Sequence, residues 1–201
     1  MGCAASAEAR DADTGDVKLQ RGALGGIQAI DCEVLFFPDP ALPCRSFLSG
    51  GALCKRPGCR FAHETTSLVK LLALIGRAKR TLEVCVFTIT CNEIADEIEA
   101  AAKRGVMVRI ITDDEQAKSQ GSDVTRLGKV SNVAVRHDGD AKSHMHHKFA
   151  IIDNRILLTG SFNWTRSAVL HNKENVLCTD VQGLVQPYRE EFRNLWKQFR
   201  P

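Results

Sequence analysis

The sequence predicts an α/β fold, a mixed, mostly parallel sheet flanked by helices, with a small Cys/His zinc-binding insert. Three observations predict it. Leu82 to Thr90 and Val106 to Thr112 are largely apolar runs rich in β-branched residues, the composition of strands covered on both faces. Segments with apolar residues at helical spacing alternate with these runs, which places helices over a sheet. Between residues 44 and 63, three Cys and one His fall in a stretch that is otherwise mostly small, turn-forming or basic.

Taken in order, residues 1–28 are small, polar and glycine-rich, with too little apolar content to bury, and are expected to form a disordered tail. A single domain then fills 29–201. Cys32 to Phe37 reads as a first strand, closed by Pro38. A helix is expected from about Ser67, with Leu68, Leu71, Leu72 and Ile75 on one face. Asn92 is read as the cap of the next helix, whose buried stripe is Ile94, Ile98 and Ala101 and which closes at Lys103 and Arg104 before Gly105. A short helix is expected near Ser122 and a strand at Val133 to Arg136. His146 to Asp153 and Ile156 to Thr159 read as a hairpin turning at Asp153-Asn154-Arg155, and Glu174 to Thr179 as a further strand. The last helix starts near Gly183. Its Tyr188, Phe192, Leu195, Trp196 and Phe199 recur at helical spacing and read as core.

The totals narrow the function classes. The chain has 201 residues, and 27 Lys and Arg stand against 24 Asp and Glu. A net charge of +3 is too weak to drive polyanion binding alone, so any attraction to phosphate must be local. No stretch approaches the roughly 20 apolar residues that span a bilayer. The N-terminus lacks the apolar core of a secretory signal, so a reducing compartment is expected and clustered Cys are read as metal ligands. Cys85, Cys91 and Cys178 sit among apolar residues or at a helix start and are read as small packed side chains. Met1-Gly2-Cys3-Ala4-Ala5-Ser6 fits the pattern for acylation at Gly2, with Cys3 placed for a second chain. Two acyl chains give stable membrane anchoring where one is marginal.

The segment His144-Met145-His146-His147-Lys148-Phe149-Ala150-Ile151-Ile152-Asp153 carries the chemistry. Side chains alternate along a strand, so His146 and Lys148 share one face and Phe149 and Ile151 the other. Imidazole acts as nucleophile or proton carrier near neutral pH, and Lys supplies positive charge for phosphate oxygens. The hairpin brings round Gly160-Ser161-Phe162-Asn163, where Ser161 and Asn163 offer a hydroxyl and an amide to the same oxygens. A lone His-x-Lys is ordinarily a solvated strand face. Here it is followed at fixed spacing by Asp153 and then by Gly-Ser-x-Asn, which a solvated face does not require.

With these residues the chain resembles the phospholipase D superfamily, whose His-x-Lys-x4-Asp signature it matches at His146, Lys148 and Asp153. Gly160 to Thr165 and Asn172-Lys173-Glu174-Asn175 are similar to the same family, with its glutamate falling on Glu174. Leu35-Phe36-Phe37-Pro38, Val135-Arg136-His137-Asp138 and Met145 to Ile151 resemble the mitochondrial, Zucchini-like subfamily. The likeness covers about residues 30 to 200. It implies a phospholipase D-like fold and a phosphodiesterase working through a phosphohistidine on His146. Lys148, Ser161 and Asn163 would bind phosphate, Glu174 would hold the His146 tautomer, and Asp153 would orient the loop or pair with a charge. It implies a homodimer in which a second His146 handles protons, although His144 of the same chain shares the parity of His146. It implies no catalytic metal, and as substrates cardiolipin, hydrolysed to phosphatidic acid, and/or single-stranded RNA. It also implies residence on the mitochondrial outer membrane facing the cytosol, where acylation would replace the subfamily's N-terminal span.

Cys44, Cys54, Cys59 and His63 follow a Cys-x9-Cys-x4-Cys-x3-His spacing that suits tetrahedral Zn2+ and resembles a CCCH zinc finger. Metal binding would supply the ordering energy the loop otherwise lacks. Arg45, Lys55, Arg56 and Arg60 make this insert, residues 44–63, locally basic. A non-catalytic CCCH-type RNA-binding module is therefore the alternative function.

Overall fold

The computed structural model describes residues 32–49, 54–139 and 143–200. The expected tail with Gly2 and Cys3, and part of the insert, lie outside these residues. The chain runs β1 (Cys32–Phe37), α1 (Arg45–Leu48), α2 (Ser67–Gly76), β2 (Thr81–Val86), α3 (Asn92–Lys103), β3 (Met107–Thr112), α4 (Asp114–Lys118), α5 (Val124–Leu127), β4 (Val133–His137), β5 (Lys148–Ile152), β6 (Ile156–Gly160), α6 (Arg166–Leu170), β7 (Glu174–Thr179) and α7 (Gln182–Gln198). The seven strands form one sheet in the order β1-β7-β6-β5-β2-β3-β4.

The α/β class with a mixed sheet holds, but the expected predominance of parallel strands does not. Among the described strands only β2–β3 and β3–β4 pair in parallel; β2–β5, β5–β6, β6–β7 and β1–β7 are antiparallel. Two crossovers through helices place β2, β3 and β4 side by side in one direction. The β5–β6 hairpin then returns the chain through a three-residue turn, Asp153 to Arg155, in which Asp153 and Asn154 take φ of 53° and 58°. That geometry fits the twist of paired strands, and Asp and Asn tolerate it better than most residues.

Each sheet face has its own apolar layer. On one face, α2, α3, α5 and α6 pack Leu68, Leu72, Ile94, Ile98 and Leu127 against Val84, Val108, Ile110 and Leu158. On the other, α7 packs Val185 and Phe192 on Ile151, Leu157 and Phe149. Burying one such Leu, Ile or Phe stabilises the fold by roughly 1.5–3 kcal/mol. Arg109, salt-bridged to buried Glu83, stacks on Phe192 and Trp196, so α7 rests on a cation as well as on the core.

Helix starts explain some departures from expectation. Asp113 accepts from the amides of Glu115 and Gln116 and so nucleates α4, which the apolar pattern had not indicated. Cys91, not Asn92, occupies the N-cap position of α3, and it makes no side-chain cap bond. The insert leaves and rejoins the domain at a closed neck. The Asp39 carboxylate accepts from the amides of Ser67 and Leu68, tying the end of β1 to the start of α2. Cys85, Cys91 and Cys178 are buried as expected, and burial pushes the Cys91 and Cys178 thiols up to about 12.

Candidate active site and metal cluster

Register gathers the candidate residues at one end of the sheet. Phe149 pairs with Thr159, so Lys148, one residue before, stands opposite Gly160 on the neighbouring strand. Gly160 pairs with Val176, and Ser161 donates its amide to the Asn175 carbonyl. His146, Lys148, Ser161, Glu174 and Asn175 thus come from three adjacent strands and the turns that leave them. A Cβ on Gly160 would lie 2.0 Å from the Asn175 carbonyl oxygen, so only glycine allows this close pairing. The Ser161 loop is held from the other side: Thr90 and Cys91 donate their amides to the Trp164 carbonyl, and Trp164 donates to Thr88.

Lys148 Nζ lies 2.7 Å from His146 Nδ1 and 2.7 Å from the His146 carbonyl oxygen. Both groups lean on Phe87, with the His146 ring centroid at 4.6 Å and the ammonium at 5.3 Å. An ammonium only donates, so Nδ1 accepts and this imidazole is neutral. Partial desolvation lowers the His146 pKa below 6.5, and the charge of Lys148 lowers it further. Desolvation also lowers the pKa of Lys148, opposed by Glu174. A neutral imidazole beside a cation is suited to attack an anionic phosphorus centre whose charge the cation offsets.

The remaining expected residues divide. Ser161 Oγ donates to Glu174 Oε2, and Asn172 donates to Glu174 Oε1 at 3.1 Å. Glu174 is therefore engaged by Ser161 and Asn172, while Lys148 holds the Nδ1 of His146. Asn163 Oδ1 is buried with no hydrogen-bond partner among the described residues. Asp153 lies at the opposite end of β5, where its carboxylate accepts from the amides of Lys79, Arg80 and Thr81 at 2.7–3.2 Å. It closes the turn before β2 and does not reach the His146 cluster.

Several residues of this region escaped sequence reasoning. Phe87 follows β2, and no motif marks it. His144 Nδ1 lies 2.8 Å from the carboxylate of Asp113, which is 1% exposed. Asp138 stood in a segment that carried the subfamily likeness, but its bond from the Met145 amide had no signal in the sequence. The signal for Asp113 was its place between a buried strand and a polar run, a helix-cap pattern. His147 points away, toward Phe149 and Glu191, as the alternation required. His144, His146 and His147 all line a cleft of about 430 Å³, closed by Leu195 of α7 and by Phe199 just beyond it.

Ligand atoms of Cys44, Cys54, Cys59 and His63 lie within 4.8 Å of one another. The Cys44 and Cys59 sulfurs are 4.0 Å apart, close to the roughly 3.8 Å that a tetrahedral ion at about 2.3 Å from each thiolate imposes. Burial raises the Cys44 pKa, but the amides of Phe47 and Ser46 and the thiols of Cys54 and Cys59 outweigh it and bring it to about 6. Backbone pairing of Cys44 with Ala62 fixes the first ligand beside the last. The donor set fits a metal ion with tetrahedral preference.

Known proteins resemble this chain in sequence and in fold. Residues 71–196 match the family described as cardiolipin synthase, PLD-like domain. The mitochondrial cardiolipin hydrolase of Chlamydomonas reinhardtii is 47% identical over 178 residues, 89% of this chain and 78% of that protein. The human mitochondrial cardiolipin hydrolase is 37% identical, with 84% of this chain and 68% of that protein covered. Among solved structures, a phospholipase D family member, Nuc from Salmonella typhimurium, superposes with a TM-score of 0.65 at 24% identity, covering 85% of this chain and 96% of its own. NucT from Helicobacter pylori gives 0.64 at 22% identity, covering 84% and 98%. These two likenesses concern the fold.

Proposed function

The chain belongs to the phospholipase D superfamily and is a phosphodiesterase of that type, and from this premise we propose that it hydrolyses cardiolipin to phosphatidic acid through a phosphohistidine on His146. The observation that carries the reading is the neutral His146 ring beside the Lys148 ammonium, at the sheet end that also holds Ser161 and Glu174. The relatives bearing the name mitochondrial cardiolipin hydrolase support the substrate.

The steps balance without a catalytic metal. A ring nitrogen of His146 attacks phosphorus while Lys148 moves from the ring to the non-bridging oxygens. The bond to the leaving alcohol breaks, and a second imidazole protonates that oxygen. Water then attacks, the P–N bond breaks, and the second imidazole takes the water's proton. Ser161 and Asn163 donate to the phosphate oxygens once Ser161 turns from Glu174. With one His-x-Lys-x4-Asp motif per chain, the second imidazole is His146 of the partner subunit in a two-fold homodimer. Mixed dimers with one His146→Asn subunit then lose nearly all activity rather than half.

The Cys44, Cys54, Cys59 and His63 cluster holds structural Zn2+ in this reading, because three thiolates and an imidazole match its ligand preference. Acylation at Gly2 and Cys3 brings the enzyme to a membrane, by kinship the mitochondrial outer membrane on its cytosolic side. Among the described residues no helix is long and apolar enough to cross a bilayer.

Cleavage of single-stranded RNA is a second reading, favoured by the exposed Arg45, Lys55, Arg56 and Arg60 around the insert and by exposed Phe61. Purified protein is incubated with cardiolipin vesicles and, separately, with a single-stranded RNA oligomer. Phosphatidic acid from the wild type and none from His146→Asn supports the lipid reading. RNA cleavage alone replaces it, and RNA binding without turnover of either substrate leaves only the non-catalytic CCCH module.

A further inference from the structure

The mechanism above uses His146 and leaves His144 without a task, yet His144 is built into the same cleft with care. Its Nδ1 meets Asp113 Oδ2 at 2.8 Å, while Asp113 Oδ1 accepts from the amides of Glu115 and Gln116. That carboxylate is 1% exposed, whereas the His144 side chain is 51% exposed. Asp138 pins the backbone on either side, accepting from the amides of Asp114 and Met145. The imidazole is thus anchored from behind by a buried acid, and its Nε2 has no partner among the described residues. His144 and His146 flank the same Phe87 ring, with centroids at 5.8 and 4.6 Å, and both line the 430 Å³ cleft.

We propose that His144, held by Asp113, is the subsite for the second phosphate of a lipid that carries two, selecting cardiolipin over single-phosphate diesters. The proposal rests on the cardiolipin reading and names what distinguishes that substrate at this site. Cardiolipin joins two phosphodiesters through a three-carbon glycerol, a bridge of six bonds that spans up to roughly 7–8 Å when extended. Two residues of backbone reach at most about 7 Å, so a phosphate on His146 and Lys148 has its twin within reach of His144. The Asp113 carboxylate raises the pKa of His144, favouring the imidazolium, and Glu115 and Asp138 act in the same direction. An imidazolium whose Nδ1–H is spent on Asp113 presents a charged Nε2–H donor to a phosphate oxygen. Asp113 occupies the Nδ1 side of the ring, so the Nε2–H on the far side stays available as a donor.

The test compares full-length wild type and His144→Gln on vesicles of phosphatidylcholine doped with either cardiolipin or phosphatidylglycerol, a diester with one phosphate. Gln keeps a polar contact to Asp113 but no charge. The ratio of kcat/KM for cardiolipin over phosphatidylglycerol is expected to fall about tenfold or more, chiefly through KM. His144→Lys is expected to recover much of the ratio. An unchanged ratio overturns the proposal, and so does an equal loss of kcat on both lipids, which makes His144 a proton carrier. Failure of the cardiolipin reading itself is visible earlier and separately, as a wild type inert on both lipids.

Discussion

Lys148 Nζ stands 2.7 Å from His146 Nδ1, and that contact fixes the protonation state of the reactive ring. A donor on Nδ1 requires a neutral imidazole, which is the form a nucleophile must have. Desolvation, and after it the positive charge of Lys148, lower the His146 pKa and favour the same form. Geometry and electrostatics therefore agree on a neutral ring whose one unprotonated nitrogen, Nδ1, is freed to attack when Lys148 leaves it for the phosphate.

Lys148 is accordingly expected to act on the transition state more than on folding. Lys148→Ala should lower kcat/KM by about 10²–10³-fold, the scale of losing one preorganised charge-stabilising donor. Lys148→Arg keeps the charge but not the compact geometry, and should recover only part of the loss. Steady-state kinetics on a soluble diester, with thermal melts to check folding, measures both.

The acid limb of activity should lie below pH 6.5. His146 has its pKa lowered, so the neutral nucleophile persists as pH falls and is lost only when pH drops through that lowered value. A kcat/KM profile measures it. Lys148→Met removes a positive neighbour and should move this limb upward in whatever activity remains.

Much of the site was legible because it is local. His146 and Lys148 are two residues apart, and alternation alone put them on one face and His147 on the other. The turn at Asp153 and Asn154 was readable from residue type. What was not legible depends on distant sequence. The Asp113 partner of His144 lies 31 residues away and becomes visible only once β3 and the segment before β5 meet. Strand direction was misjudged because an apolar run reports burial, not whether its neighbour runs parallel. β2 is flanked by one parallel and one antiparallel strand with the same pattern. The Cys91 start of α3 escaped because that helix begins without any side-chain cap, so the best capping residue nearby, Asn92, drew the boundary one residue late.

Asp153 is expected to stabilise rather than catalyse. Its carboxylate serves three amides, and its φ of 53° disfavours most side chains. Asp153→Ala should cost about 2 kcal/mol and lower Tm by roughly 4–8 °C. Asp153→Asn, which keeps an acceptor and tolerates the conformation, should cost less. Activity per folded molecule should change little in both, as read by kinetics below the melting range.

Metal removal should separate the insert from the chemistry. Chelation, or Cys59→Ser, is expected to release one Zn2+ per chain and loosen residues near 44–63, seen as faster amide exchange there. Hydrolysis of a soluble diester should persist, because no step passes through the ion. Loss of that hydrolysis with the insert's metal would place the cluster in the catalytic path.

The most direct measurement is of the covalent intermediate. Wild-type protein is mixed with a slow soluble phosphodiester, quenched in alkali during the first turnover, and mapped by peptide mass spectrometry. A base-stable, acid-labile phosphoryl adduct on His146, absent from His146→Asn, is the predicted result. Turnover at full rate with no adduct, or an adduct on another residue, would contradict the account.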